Sequence, residues 1–225
     1  MMVRPENRLL ADLPPAVYER LAPGLERIGL TEGSVLLDIG RDAEFVWFIA
    51  GGVVSLLSAT KGGDTLEAAM IGCEGAIGLS SLTHANGSPL RARVQIAGEA
   101  LRIRPSRLRV LCRRDKELQE SVSGYLHALI AQITQTMACH HFHSVEQKLA
   151  RWLLMARDRT ASDKLQITHT TLAGAFGVAR SHLSSAAGSL DTGGLVRCRR
   201  GTITILNRAG LAKASCECYR TLAGK

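Results

Sequence analysis

Near the C-terminal end, a small group of side chains has the types and spacing to hold a polyanion. Arg180, Ser181, His182 and Ser185 are the outward positions of an apolar-periodic run in which Leu183, Ala187 and Leu190 repeat at i, i+4, i+7. A guanidinium can fork onto a phosphate or a base edge, and small hydroxyl side chains let a helix approach a groove closely. Thr168 and Thr170 stand at the start of the helix before it, where a threonine hydroxyl accepts a free backbone N–H. Arg199 and Arg200 lie beside Gly201, between Leu195-Val196 and a Thr202–Leu206 stretch that alternates apolar and polar residues, the pattern of a half-buried hairpin with a basic tip.

A different chemistry is hinted at by Cys139-His140-His141-Phe142-His143. Cys139 and His143 are four apart and share a helix face, which suits a pair of metal ligands. Two ligands do not close a site. Cys216 and Cys218 are two apart, so on a helix they point to different sides and read as packing residues. No metal and no cofactor is therefore expected. The six cysteines, Cys73, Cys112, Cys139, Cys198, Cys216 and Cys218, include no CxxC pair, so neither disulfides nor a zinc ribbon is expected.

These groups must be held by surrounding elements. Helices are predicted over Thr170–Phe176 and Arg180–Thr192, with Gly177 in the turn between them, followed by the hairpin. The whole of Ile167–Leu206 reads as a winged helix-turn-helix, a device for placing one helix in the major groove of DNA. Upstream, Ser144–Arg157 forms a helix with Val145, Leu149, Trp152, Leu153 and Ala156 on one side and Lys148, Arg151 and Arg157 largely off that face. A longer helix spans Lys116 to about His141. Its Leu126, Ile130, Ile133, Met137 and His140 follow heptad spacing, which reads as a dimer seam or, alternatively, as a face packed on the chain's own barrel.

The first 112 or so residues are punctuated by glycine. Strands are expected at Val35–Ile39, Val46–Ala50, Val53–Ser58, Leu66–Ile71, Arg93–Ile96 and Ala100–Ile103, after a helical Pro14–Leu25 and before a short helix opening at Pro105. That pattern implies a β-barrel or sandwich. The formal charge is +8. Residues 1–115 hold 14 Lys/Arg against 13 Asp/Glu, and residues 116–225 hold 14 against 7, so the excess sits with the helix-turn-helix, as a phosphate partner requires. The N-terminal MMVRPENRLL has no apolar signal segment and no run is long enough to span a bilayer, so a cytoplasmic protein without a membrane partner is expected. G-x-S-x-G, HExxH, P-loop and paired-carboxylate signatures are missing, which argues against an enzyme.

The run Val145-Glu146-Gln147-Lys148-Leu149-Ala150-Arg151-Trp152-Leu153-Leu154, the segment Ile167–Leu206 and the closing Cys216-Glu217-Cys218-Tyr219 resemble the Crp/Fnr family of transcriptional regulators. The segments Leu30–Gly40, Phe48–Gly52 and Ile71–Gly78 resemble that family's β-roll. The resemblance implies an α+β chain: a cyclic-nucleotide-binding-like roll over 1–115, a dimerisation helix over 116–143 and a winged helix-turn-helix DNA-binding domain over 144–225. It implies a homodimer on double-stranded DNA, with RNA polymerase as a further partner and a small-molecule effector in the roll. DNA contacts would fall to Thr168, Thr170, Arg180, Ser181, His182, Ser185, Arg199 and Arg200. The effector pocket would draw on Gly72, Glu74, Gly75, Gly78 and Arg91. Cyclic-AMP-binding relatives follow their glycine segment with an Arg-Ser/Thr pair. Here Arg91 is offset by one and the hydroxyl partner is absent, so cyclic-nucleotide binding is not expected. Relatives that hold iron–sulfur clusters use N-terminal cysteines, and none precedes Cys73. A metal- or redox-responsive regulator using Cys139 and His143, or a ligand-binding subunit that leaves DNA alone, remain the alternatives.

Overall fold

The computed structural model describes residues 5–83 and 87–223. It is mixed helix and sheet, and its residues cluster into two compact units: residues 1–56 with 71–129, and residues 57–70 with 130–225.

The chain opens with α1 (Arg8–Ala11) and α2 (Pro15–Leu21), then β1 (Glu26–Leu30), β2 (Val35–Leu37), β3 (Val46–Ile49), β4 (Val53–Ala59) and β5 (Thr65–Ile71); the end of β4 and nearly all of β5 belong to the second unit and the other elements here to the first. β6 (Ala76–Ile77), β7 (Arg91–Ile96) and β8 (Gly98–Ile103) follow, and α3 (Pro105–Arg114) closes the roll. The strands form two four-stranded sheets, ordered β1-β8-β3-β6 and β2-β7-β4-β5. The pairs β1–β8, β3–β8, β3–β6 and β2–β7 are antiparallel. The six expected strands are present. β1 and β6 carry no strong alternation and were not expected. Leu10, Val17, Leu21, Val46, Phe48, Ile103 and Leu108 share one buried core with Leu118 and Val122 of the next helix. Asn7 is wholly buried; its amide donates to the carbonyls of Ile49 and Gly75 at 2.8 and 2.9 Å, and its Oδ1 caps α1. A buried amide with all these partners fixes the entry of the chain to the roll.

α4 runs unbroken from Lys116 to Phe142. Its first half packs into the first unit, where Tyr125 donates its hydroxyl to the Ala76 carbonyl at 3.0 Å. Of the expected seam, Ile130 and Met137 are each 64% exposed. The two ends of the seam are spoken for within the chain. Leu126 packs against the roll core, and His140 meets the Glu67 carbonyl at 2.9 Å and the Phe176 ring edge-on. The open stripe is thus shorter than the heptad pattern suggests.

The second unit holds the rest of α4, then α5 (Val145–Thr160), β9 (Lys164–Gln166), α6 (His169–Phe176), α7 (Arg180–Thr192), β10 (Val196–Arg199), β11 (Thr202–Ile205), α8 (Arg208–Ala214) and α9 (Cys218–Ala223). Ser144 and Gln147 form a reciprocal capping box at the start of α5. Every residue of α5 from Lys148 to Ala156 is buried, and the Trp152 indole donates to the Glu67 carboxylate at 3.2 Å. The expectation that Lys148 and Arg151 lie off the buried face is therefore corrected. They are 6% and 1% exposed, because α5 is surrounded on several sides and has no single solvent face.

Candidate nucleic-acid interface

Thr168 caps α6. Its Oγ1 accepts the Thr171 N–H at 3.1 Å and hydrogen-bonds the Thr171 hydroxyl at 2.8 Å. Leu172, Ala173, Ala175 and Phe176 bury the inner face. The turn to α7 requires a left-handed residue, and Gly177 supplies it at φ 62°. α7 then spans Arg180–Thr192, as its periodicity predicts. It buries Leu183, Ala186, Ala187 and Leu190, and its Asp191 carboxylate accepts the Cys198 N–H at 2.9 Å, tying the helix to the hairpin.

What remains outward on α7 is the expected row: Arg180, Ser181, His182 and Ser185 are exposed, joined by Ser189. Ser184 is the exception. It is half-buried, and its hydroxyl meets His169 Nδ1 at 3.1 Å, a link between α6 and α7. Burial, and after it the positive charge of Arg180, lowers the His169 pKa below the usual histidine value.

The hairpin pairs Arg199 with Thr202 across a two-residue turn, Arg200-Gly201, with Gly201 at φ 73°. β9 extends it to a three-stranded sheet, ordered β10-β11-β9. No pattern in the sequence predicts that third strand, and only its pairing with β11 marks it as one. Arg199 and Arg200 are exposed at the tip. Exposed Thr170, the α7 row and the wing arginines all belong to this one domain. A guanidinium that no internal carboxylate neutralises keeps its full charge for an external anion.

The residues expected to line an effector pocket make the following contacts within the chain. Glu74 accepts the Gly72 N–H at 3.2 Å. At Gly75 the backbone lies so close to α4 that a Cβ would come within 2.5 Å of the Tyr125 hydroxyl. Gly78 turns the chain at φ 85° against the Phe45 carbonyl. Arg91 is bound elsewhere, its Nε 2.7 Å from Asp38 Oδ1, and that contact holds the Asp38 carboxyl below its usual range. A pocket of about 440 Å³ opens between the roll, α3 and the start of α4, lined by Leu79, Leu82, Arg109, Cys112, Val122 and Leu126 among others, and by none of the residues expected to hold an effector.

One further grouping overturns an expectation. Cys139, His143, Cys216 and Cys218 converge, with the nearest sulfur and ring-nitrogen atoms all within 4.8 Å of one another. Cys216 and Cys218 do not point to different sides, because Cys216 precedes α9 and only Cys218 lies within it. The helical rule for i, i+2 does not apply across that junction. The Cys139 and Cys216 sulfurs are 3.5 Å apart, and Cys218 Sγ lies 3.7 Å from His143 Nδ1. The bond shared by Cys139 and Cys216 pushes the first thiol up and holds the second down.

Residues 147–214 match the model of the Crp-like helix-turn-helix domain. No curated protein matches the chain. Among solved structures, the chain is similar to a putative Crp/Fnr-family transcriptional regulator from Eubacterium rectale, with 16% identity over 93% of this chain and 98% of that one and a TM-score of 0.71. It is similar to FixK2 from Bradyrhizobium japonicum, with 15% identity, 85% and 98% coverage and a TM-score of 0.72. The c-di-GMP-responsive global regulator CLP of Xanthomonas campestris is a third, with 16% identity, 85% and 99% coverage and a TM-score of 0.69. At these identities the likeness is one of fold.

Proposed function

We infer that this chain, which has the fold of the Crp/Fnr regulators and in residues 147–214 a Crp-like helix-turn-helix domain, is a transcription regulator that binds double-stranded DNA as a homodimer. The observation that carries the reading is the outward row Arg180, Ser181, His182 and Ser185 on α7, together with the Arg199-Arg200 tip of the wing. α7 enters the major groove. Arg180 reaches a base edge or phosphate, the serines and His182 read or skim the bases, and the wing arginines and Thr170 hold backbone phosphates. Thr168 acts through its cap, by orienting the first turn of α6.

A second copy joins through α4, whose Ile130 and Met137 are seven residues apart and open to solvent. The two α7 helices of such a dimer would meet successive major grooves, about 34 Å apart. In the same reading the roll takes an unidentified small-molecule effector and the DNA-bound dimer meets RNA polymerase, as the family resemblance implies. A protein whose partner is the bacterial-type promoter works in the cytoplasm, and no catalytic step enters its function.

The test is binding of the purified full-length chain to genomic fragments at two salt concentrations. Selective retention of two-fold-related sites, weakening steeply with salt, is expected. Failure to retain any fragment at low salt, with or without cell extract as a source of effector, overturns the reading. The paired substitution Ile130→Asp with Met137→Asp is expected to give monomers by light scattering; an unchanged dimer mass removes α4 as the seam.

A further inference from the structure

We propose that Cys139, His143, Cys216 and Cys218 form a Cys3His site for a single tetrahedral divalent metal ion of the zinc type. The donor set and its size both point there. Three sulfurs and one imidazole nitrogen form one of the standard structural zinc sets, with Zn–S near 2.3 Å and Zn–N near 2.0 Å. Around one such ion, tetrahedral ligands would sit about 3.8 Å apart for two sulfurs and about 3.5 Å apart for sulfur and nitrogen. The 3.5 Å between Cys139 and Cys216 and the 3.7 Å between Cys218 and His143 fall in that range. Four donors inside 4.8 Å can surround one ion but not a cluster of several iron atoms. The cysteines are free thiols, and their separations are far beyond a disulfide bond of about 2 Å.

The surroundings complete the case. Cys139, Cys216 and Cys218 are 0%, 3% and 0% exposed, so the site is closed, as a structural metal requires. The backbone bond from the His143 N–H to the Cys139 carbonyl, 3.2 Å, carries the helical turn past the end of α4 and stacks the two ligands on one face. On its far side, the His143 ring meets the Glu217 carboxylate with Nε2 at 3.2 Å. A proton on Nε2 leaves the Nδ1 lone pair aimed at the sulfurs, the carboxylate–histidine arrangement that orients metal ligands. The Gln135 amide donates to Cys218 Sγ at 3.1 Å, a bond that favours the thiolate.

The charge balance is a separate argument. Three thiolates and one dication leave a net charge of −1 in the interior. α5 supplies two buried cations beside the site, Lys148 and Arg151, and the charge of each bears on Cys139. Their described hydrogen bonds go to the His140 carbonyl and the Met155 thioether rather than to carboxylates, and the Arg151 Nε has no hydrogen-bond partner among the described residues. Buried cations that are not hydrogen-bonded to a carboxylate are costly; a metal–thiolate centre adds negative charge beside them. On binding, each thiol gives up its proton to solvent and no electrons move.

The experiment is metal analysis of the full-length chain purified without chelator, followed by replacement of the ion with Co(II). Roughly one zinc per chain is expected, together with the intense visible absorption of a tetrahedral Co(II)–thiolate centre. Cys218→Ala and Cys216→Ala should lose the ion, while Cys73→Ser and Cys198→Ser retain it. Because a ligand variant can fail to fold, the native protein supplies a second readout: a strong chelator should lower its Tm, and added zinc should restore it. The proposal is overturned if the native chain takes up neither zinc nor cobalt, if folded ligand variants keep the ion, if the bound metal proves to be an iron–sulfur cluster, or if anaerobically purified protein carries a Cys139–Cys216 disulfide. None of these outcomes depends on DNA binding.

Discussion

The second unit contains two groups of functional side chains built on opposite plans. On α7 and the wing, cationic and hydroxyl groups stand in solvent, spaced by the helix period and by a hairpin turn. At the foot of α4, sulfur and imidazole groups are buried and drawn from positions nearly eighty residues apart. The exposed set loses little when the fold is formed and waits for an external anion. The buried set satisfies its own members. An interface for a large polyanion needs reach and charge, whereas a site for a small cation needs enclosure. Substitutions should therefore divide cleanly, with the exposed set setting affinity and the buried set setting stability.

The largest effect expected is on the buried side. Cys218→Ala should cost about 3 kcal/mol or more, roughly 10 °C in Tm, by removing a ligand from a closed metal site. Thermal melting with and without zinc checks it, and a variant with unchanged Tm would break the contrast. Next comes Arg180→Ala, expected to leave Tm within about 1 °C while lowering affinity for the preferred site by about 1–3 kcal/mol, or roughly 5- to 150-fold. A titration by anisotropy measures it, and equal loss on unrelated DNA would move Arg180 from base reading to phosphate holding. Smaller still is Arg199→Ala combined with Arg200→Ala. Binding should weaken similarly on all sequences, and the slope of log affinity against log salt should fall by about 2. A loss confined to one sequence would show the wing reading bases.

The same contrast decides what could be read from the residues alone. α7 was legible to its end residues because everything that defines it is local: the Leu183, Ala187 and Leu190 spacing, the Gly177 turn and the closing glycines. The wing was legible for the same reason. β9 was not, since Lys164–Gln166 becomes a strand only by pairing with β11. The cysteine site was half visible, as the Cys139 and His143 pair. Its other half was hidden because Cys216 and Cys218 straddle a helix start, and no spacing rule brings residues 139 and 216 together. Lys148 and Arg151 misled in the opposite direction: their charge suggests solvent, and α5 is enclosed all round. The roll resisted most, since its contacts join residues far apart in the chain, such as Gly75 against Tyr125 and Arg91 with Asp38.

The hairpin between β4 and β5 has a practical consequence for dissecting the chain. Residues 57–70 cluster with the C-terminal unit: Glu67 receives the Trp152 indole, Thr65 donates its hydroxyl to the Gly174 carbonyl at 2.8 Å, and the Gln132 amide donates to the Met70 carbonyl at 2.8 Å. A fragment cut to begin at residue 144 would carry every side chain proposed to meet DNA yet leave Trp152 without its acceptor, in addition to losing Cys139 and His143. The reading head cannot be detached by a single scission. A minimal version would have to bring the hairpin along, spliced in from the other half of the polypeptide.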